Sequence, residues 1–218
     1  MITVKVNGEE RQYPQGATYE DVANDYQKEY DNLIALAARD GKIRELFKKL
    51  TRDCEITFFT LKDDVGNKTY VRSATMLFLK AVFDVFGRET VQNCRVEFAI
   101  GNGSYISPKG KINATEENAA KIRNRMRELV EAKTPFLKKS YSLDNAMELF
   151  RREGMKDKEK LFRYRRGSFV NIYEMDGYYD YYYGYMLPNA GYVKWFDVIA
   201  YEDGFMLLLP DKKNPTHV

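Results

Sequence analysis

The stretch "TYVRSATMLFLKAVFDVFG", Thr69 to Gly87, decides the fold, because the spacing of apolar residues changes there. Ala74, Leu77, Phe78, Ala81, Val82 and Val85 recur every three or four residues and outline one broad apolar helix face that stops at Gly87. Before it the chain reads in twos. In "MITVKVNGEERQYP" (1–14), Ile2, Val4 and Val6 alternate with polar residues, Asn7-Gly8 breaks the run, and the alternation resumes, which predicts a β-hairpin. "GATYEDVANDYQKEY" (16–30) offers Thr18 as an N-cap with Asp21 three residues on, then Val22, Ala23 and Tyr26 at helical spacing. The apolar run "NLIALAARDGKIREL" (32–46), with a turn at Asp40-Gly41, and "CEITFFTL" (54–61) supply further strand. The order β-β-α-β-β suits a small ubiquitin-like β-grasp domain over residues 1–62.

Beyond the central helix, "CRVEFAIGNGSYIS" (94–107) predicts a hairpin around Gly101-Asn102-Gly103. "TEENAAKIRNRMRELVEAK" (115–133) predicts a helix capped by Thr115, with Glu117 or Asn118 near the capping-box position and a polar face of Lys121, Arg123, Arg125 and Arg127. "SLDNAMELFRREG" (142–154) gives a third helix between the Ser142 cap and the Gly154 stop, and several strands joined by tight turns follow from about Leu161. "KDKEK" (156–160) is expected as a mobile turn and "DKKNPTHV" (211–218) as a frayed tail. The fold class is therefore α+β, with a second domain over 63–218.

Composition sets bounds on function. The 218 residues are 44% hydrophobic, enough for a sound core, and 31% charged with a net charge of only +3, too even a balance to imply nucleic-acid binding by itself. No apolar run spans a bilayer and the N-terminus lacks signal-peptide character, so a cytoplasmic protein is expected, without a membrane partner. Cys54 and Cys94 lie 40 residues apart and form no CxxC pair, so they read as buried free thiols. "GNGSYISPKGK" (101–111) has neither the setting nor the Gly-Lys-Ser/Thr ending of a phosphate loop. Asp176, Asp180 and Asp197 are candidates for a carboxylate pair whose register the sequence leaves open, and capping or solvation is their plainer role. The chain's one histidine, His217, stands at the very end, so no His-centred triad or zinc cluster forms within one chain.

The segment "DGYYDYYYGYMLPNAGYVKWF" (176–196) concentrates tyrosines and the only tryptophan, Trp195. Together with the hairpin, "VRSATMLFLKAVFDVFG", "GNGSYI" and the long basic helix, it resembles the N-terminal half of threonyl-tRNA synthetase, a TGS domain followed by a second additional domain that edits mischarged serine. The family's last motif, approximately Asp-x-Cys-x-Gly-Pro-His-x-Pro-Asn, falls here on Asp180, Tyr182, Gly184, Tyr185, Met186, Pro188 and Asn189. The family's His-x-x-x-His pair falls on Ser73 and Leu77. All four ligating or proton-transferring positions are thus replaced, by Ser73, Leu77, Tyr182 and Met186, and Leu or Met cannot do the work of imidazole. The resemblance implies a cleft without catalytic residues and without a metal, whose ligand-binding candidates are Ser73, Leu77, Tyr105, Asp180, Tyr182, Met186 and Asn189. Tyrosine and methionine there suit recognition of a nucleoside, a nucleotide or an RNA base. Opposing this, alternation along a strand places Tyr179, Tyr181, Tyr183 and Tyr185 on one face, and one face must pack.

A TGS domain joined to a histidine-poor synthetase-like domain also resembles the front end of certain bacterial uridine kinase-like proteins. This resemblance implies a non-catalytic recognition or regulatory module whose partner is its own C-terminal kinase domain of the phosphoribulokinase/uridine kinase type. In that arrangement the chain itself holds no cofactor, and ATP and Mg belong to the kinase domain. The alternatives are a stand-alone tRNA- or RNA-binding paralogue of the editing region, and an aminoacyl-tRNA deacylase with unusual residues. A basic patch of Lys121, Arg125, Lys156 and Lys158, extended by Arg151, Arg152, Arg163, Arg165 and Arg166, is a candidate for steering phosphates. Interspersed acids such as Glu117, Glu128 and Glu159 favour ordinary surface pairing instead.

Overall fold

A computed structural model describes residues 1–165 and 167–218. Arg166, named above among the basic residues, lies outside them. The hairpin of β1 (Ile2–Val6) and β2 (Glu9–Tyr13) turns through Asn7 at φ 51° and Gly8 at φ 87°, the paired positive angles that a two-residue Asn-Gly turn demands. Helix α1 (Tyr19–Tyr26) starts from a capping box in which Thr18 and Asp21 satisfy each other's backbone N–H, and it buries Tyr19, Val22, Ala23 and Tyr26. The apolar run after it divides at Asp40-Gly41 into β3 (Ile34–Arg39) and β4 (Lys42–Glu45), one strand more than the sequence order predicts. With β5 (Cys54–Thr60) they form a sheet ordered β2-β1-β5-β3-β4, in which β1 and β5 run parallel. A mixed sheet with a parallel central pair and one crossing helix is the β-grasp arrangement, and Ile2, Val4, Val6, Val22, Ile56 and Phe58 fill its core.

The second unit is built on α2 (Asp64–Phe86), which ends at Gly87 with φ 84°. Ala74, Leu77, Phe78, Ala81 and Val82 are fully buried, as their spacing predicts. Val85 is not: it stands 36% exposed, because it falls in the last turn beside the open end. A short α3 (Arg88–Asn93) follows, then β6 (Arg95–Ile100) and β7 (Gly103–Ser107). Helix α4 (Glu116–Glu131) is capped by Thr115 accepting the Asn118 N–H, and packs on α2. Next come β8 (Leu137–Ser142), α5 (Leu143–Arg152), α6 (Lys156–Arg163), β9 (Phe169–Met175), β10 (Tyr178–Asp180), β11 (Asp197–Tyr201) and β12 (Gly204–Leu208). They complete a sheet ordered β10-β9-β8 and another ordered β11-β12-β7-β6. The outer strand β6 is exposed along its whole length, and its register with β7 shifts between Val96 and Phe98.

Three expectations change. "KDKEK" is not a mobile turn but the start of α6, anchored by Phe162, whose ring stacks on Phe150 at 5.4 Å. The tail turns back rather than fraying freely: Pro215 is buried and Lys212 pairs with Asp64 at the start of α2 at 2.5 Å. The tyrosine tract keeps strand alternation only over Tyr178–Asp180, after which the chain leaves the sheet, with Gly184 at φ 134°. Among the described residues no helix is long and apolar enough to cross a membrane.

Candidate functional site

Helix α2 and the segment after β10 meet where the resemblance implies a cleft. Ser73 Oγ donates to the Thr69 carbonyl at 2.9 Å and accepts the Leu187 N–H at 3.0 Å, while Met186 Sδ lies 4.0 Å from it. Ser73, Leu77 and Met186 have no exposed surface, so this part of the expected cleft is packed interior. Tyr70 fastens the far end, donating its hydroxyl to the Trp195 carbonyl at 2.7 Å and accepting the Trp195 N–H at 2.8 Å. Burial pushes the Tyr70 phenol above its ordinary value.

Around that seal the other candidates separate. Asp180 is buried and accepts from the Tyr178 hydroxyl at 3.1 Å, the Tyr181 N–H at 2.6 Å and the Lys158 ammonium, so it organises the turn out of β10. Tyr182 carries a hydroxyl shut off from solvent that finds no partner among the described residues. Burial raises that phenol far above its ordinary value. Asn189 caps the turn that follows, accepting the Gly191 N–H at 3.0 Å. Tyr105 belongs to a different surface: it bonds to Asp203, stacks on Phe98 at 4.9 Å, and lies on the four-stranded sheet. The three aspartates do not form one site, since Asp176 faces Lys80 at 3.3 Å, Asp180 faces Lys158, and Asp197 faces Arg123 at 3.1 Å.

What stays open is a depression of about 320 Å³ beside the seal, walled by Tyr181, Tyr182, Tyr183, Tyr185, Lys138 and Arg165. Tyr183 stands 85% exposed. The Arg165 guanidinium bonds to the Tyr181 hydroxyl and lies 5.2 Å from the Tyr181 ring centre, holding a cation and an aromatic face together. Gly184 lets the loop close over Arg72, which donates to the Tyr185 carbonyl at 3.2 Å; a Cβ at that position would fall 2.5 Å from the guanidinium carbon. Aromatic planes with flanking cations can stack bases and neutralise phosphates.

Sequence reasoning missed Glu45. It is the last residue of β4, in the first domain, and only 3% exposed. Its carboxylate accepts from Lys138 Nζ at 2.8 Å, from the Met186 N–H at 3.2 Å and from the Tyr173 hydroxyl. The basic candidates prove largely neutralised. Lys121 pairs with Glu117 at 2.7 Å, Arg125 with Asp84 at 2.8 Å and Glu128 at 2.7 Å, and Lys158 with Asp180, while Lys156 is exposed on the first turn of α6. Among the described residues no group of three His, Cys, Asp or Glu side chains is placed to hold a metal.

The fold is α+β, a β-grasp sheet followed by an α+β unit of the kind the resemblance implies. Along 98% of its length the chain is similar to the threonine--tRNA ligase of Thermotoga maritima, at 29% identity, covering 32% of that protein. The threonine--tRNA ligase of Maricaulis maris is 28% identical over 88% of this chain, and that of Carboxydothermus hydrogenoformans 25% identical over 91%. The chain is thus homologous to the N-terminal region of threonyl-tRNA synthetases and spans about a third of the length of the curated relatives it matches. No family model matches it. The similarity lends no support to the kinase-attached arrangement.

Proposed function

We propose that this chain is an RNA-binding paralogue of the synthetase editing region, acting in the cytoplasm, that holds an RNA end without hydrolysing it. One observation carries the reading: Ser73, Leu77 and Met186 are sealed into the core, while the tyrosine pocket beside them is open and flanked by Lys138 and Arg165. Interior Ser, Leu and Met side chains supply neither a base nor a water-activating metal ligand, so the editing chemistry that the resemblance implies has no agent here. Aromatic stacking needs no such agent, and each engaged base contributes about 1–3 kcal/mol.

The test is paired. Fluorescence anisotropy with labelled tRNA and single-stranded RNA is expected to show binding, and the same protein mixed with serine-mischarged tRNA is expected to release no serine. Serine release above the spontaneous rate, or no RNA binding at low salt, overturns the proposal.

A further inference from the structure

We infer that the groove where the two domains meet is a track for the phosphates of a single RNA strand, leading into the tyrosine pocket. The inference rests on the RNA reading above and adds the path and the contribution of the first domain. Lys48 and Lys49 come from the loop after β4, Lys133 from the end of α4, and Lys138 and Lys139 from β8, and all five line one groove of about 610 Å³. Its floor is apolar, with Phe136 buried and Pro188 beside it.

Charge balance leaves this groove basic. The lysines and arginines of α4 are largely matched by acids, and the whole chain carries only +3. Lys48, Lys49 and Lys133, in contrast, make no ion pair among the described residues. Two acids near the groove are already committed: Glu45 to Lys138 at 2.8 Å, and Glu174 to Lys139 at 2.5 Å. Glu20 also lines the groove, and its carboxylate accepts the Tyr192 hydroxyl at 2.9 Å. Positive charge is therefore left over here, and it comes from both domains.

The groove and the pocket adjoin at Lys138, which lines both. Several ammonium groups lining one trough match a chain of phosphates better than one small anion, and stacking surfaces for bases lie at its Lys138 end. That combination specifies a single-stranded nucleic acid whose backbone crosses the domain boundary.

The experiment uses the full chain with two probes of equal length, a single-stranded RNA octamer and an abasic sugar-phosphate oligomer, titrated across salt. In the variant Lys48→Ala/Lys49→Ala/Lys133→Ala, whose exposed side chains leave the core intact, the slope of log affinity against log salt is expected to shrink by about 2 for both probes, three phosphates at roughly 0.7 each. Lys121→Ala is expected to leave the slope unchanged. An unaltered slope in the triple variant, with RNA still bound, overturns the track and spares the RNA reading. A reduced slope with RNA bound no better than the abasic oligomer keeps the track and removes base recognition. Failure of both probes, with an acidic peptide bound instead, overturns both.

Discussion

The carboxylate of Glu45 accepts the backbone N–H of Met186 at 3.2 Å, so a residue of the β-grasp sheet holds the loop after β10 in place. The same carboxylate holds Lys138 and the Tyr173 hydroxyl. Glu45→Ala leaves these donors without their buried acceptor, and a loss of about 2–4 kcal/mol is expected in urea unfolding. Glu45→Gln keeps the shape and one acceptor and is expected to lose about half as much. A loss no larger than that of an exposed glutamate would show that the contact carries no energy.

Tyr182 offers a test of opposite sign. Because its buried hydroxyl has no partner among the described residues, Tyr182→Phe removes an uncompensated polar group and is expected to stabilise the protein by about 1 kcal/mol. Destabilisation on calorimetry would reveal a hydrogen bond to that oxygen.

Introducing the residues of the family pattern given above tests the seal. The combination Ser73→His, Leu77→His, Tyr182→Cys and Met186→His places imidazoles where three side chains have no exposed surface, and removes the hydroxyl that accepts the Leu187 N–H. Overpacking and the lost bond are expected to lower stability by more than about 3 kcal/mol, and zinc titration is expected to show no stoichiometric uptake. One zinc bound per folded chain would mean that the cleft reopens.

Alkaline pH is expected to destabilise the fold. Burial pushes the Cys94 thiol up to about 12 from an ordinary 9.0, and raises the phenols of Tyr70, Tyr178 and Tyr192 above their ordinary 10.0. These groups keep their protons when folded and release them sooner when unfolded. Their stabilising contribution is therefore complete below about pH 9 and is lost as pH rises through 9 toward 12. The last share of phenolate absorbance, from the buried phenols, should then appear together with the loss of circular dichroism. Ionisation of all the phenols with the dichroism intact would contradict this.

Much of the fold was legible because its signals are local. Asn7-Gly8, the Thr18, Thr115 and Ser142 caps, and the apolar face ending at Gly87 each lie within a few residues of what they control. Helix α6 was hidden because a charge run looks like a loop until Phe162 finds Phe150. Positions 73, 77 and 186 were brought together by family resemblance, not by periodicity, and that they form a closed seam depends on packing that no short window encodes. Glu45 was invisible for the same reason, since its partners lie 93 and 141 residues away. The lysines at the junction come from separate segments, and only the docking of the two domains makes them neighbours.

Strand β6 borders its sheet with Val96, Phe98 and Ile100 about half open to water, an invitation to fibril growth on an unbroken edge. The slipped register between Val96 and Phe98 withdraws that invitation. A visiting strand would meet an even ladder only over Arg95 and Val96 before the shift and over Phe98 to Ile100 after it, too short a run on either side to seed a long ribbon.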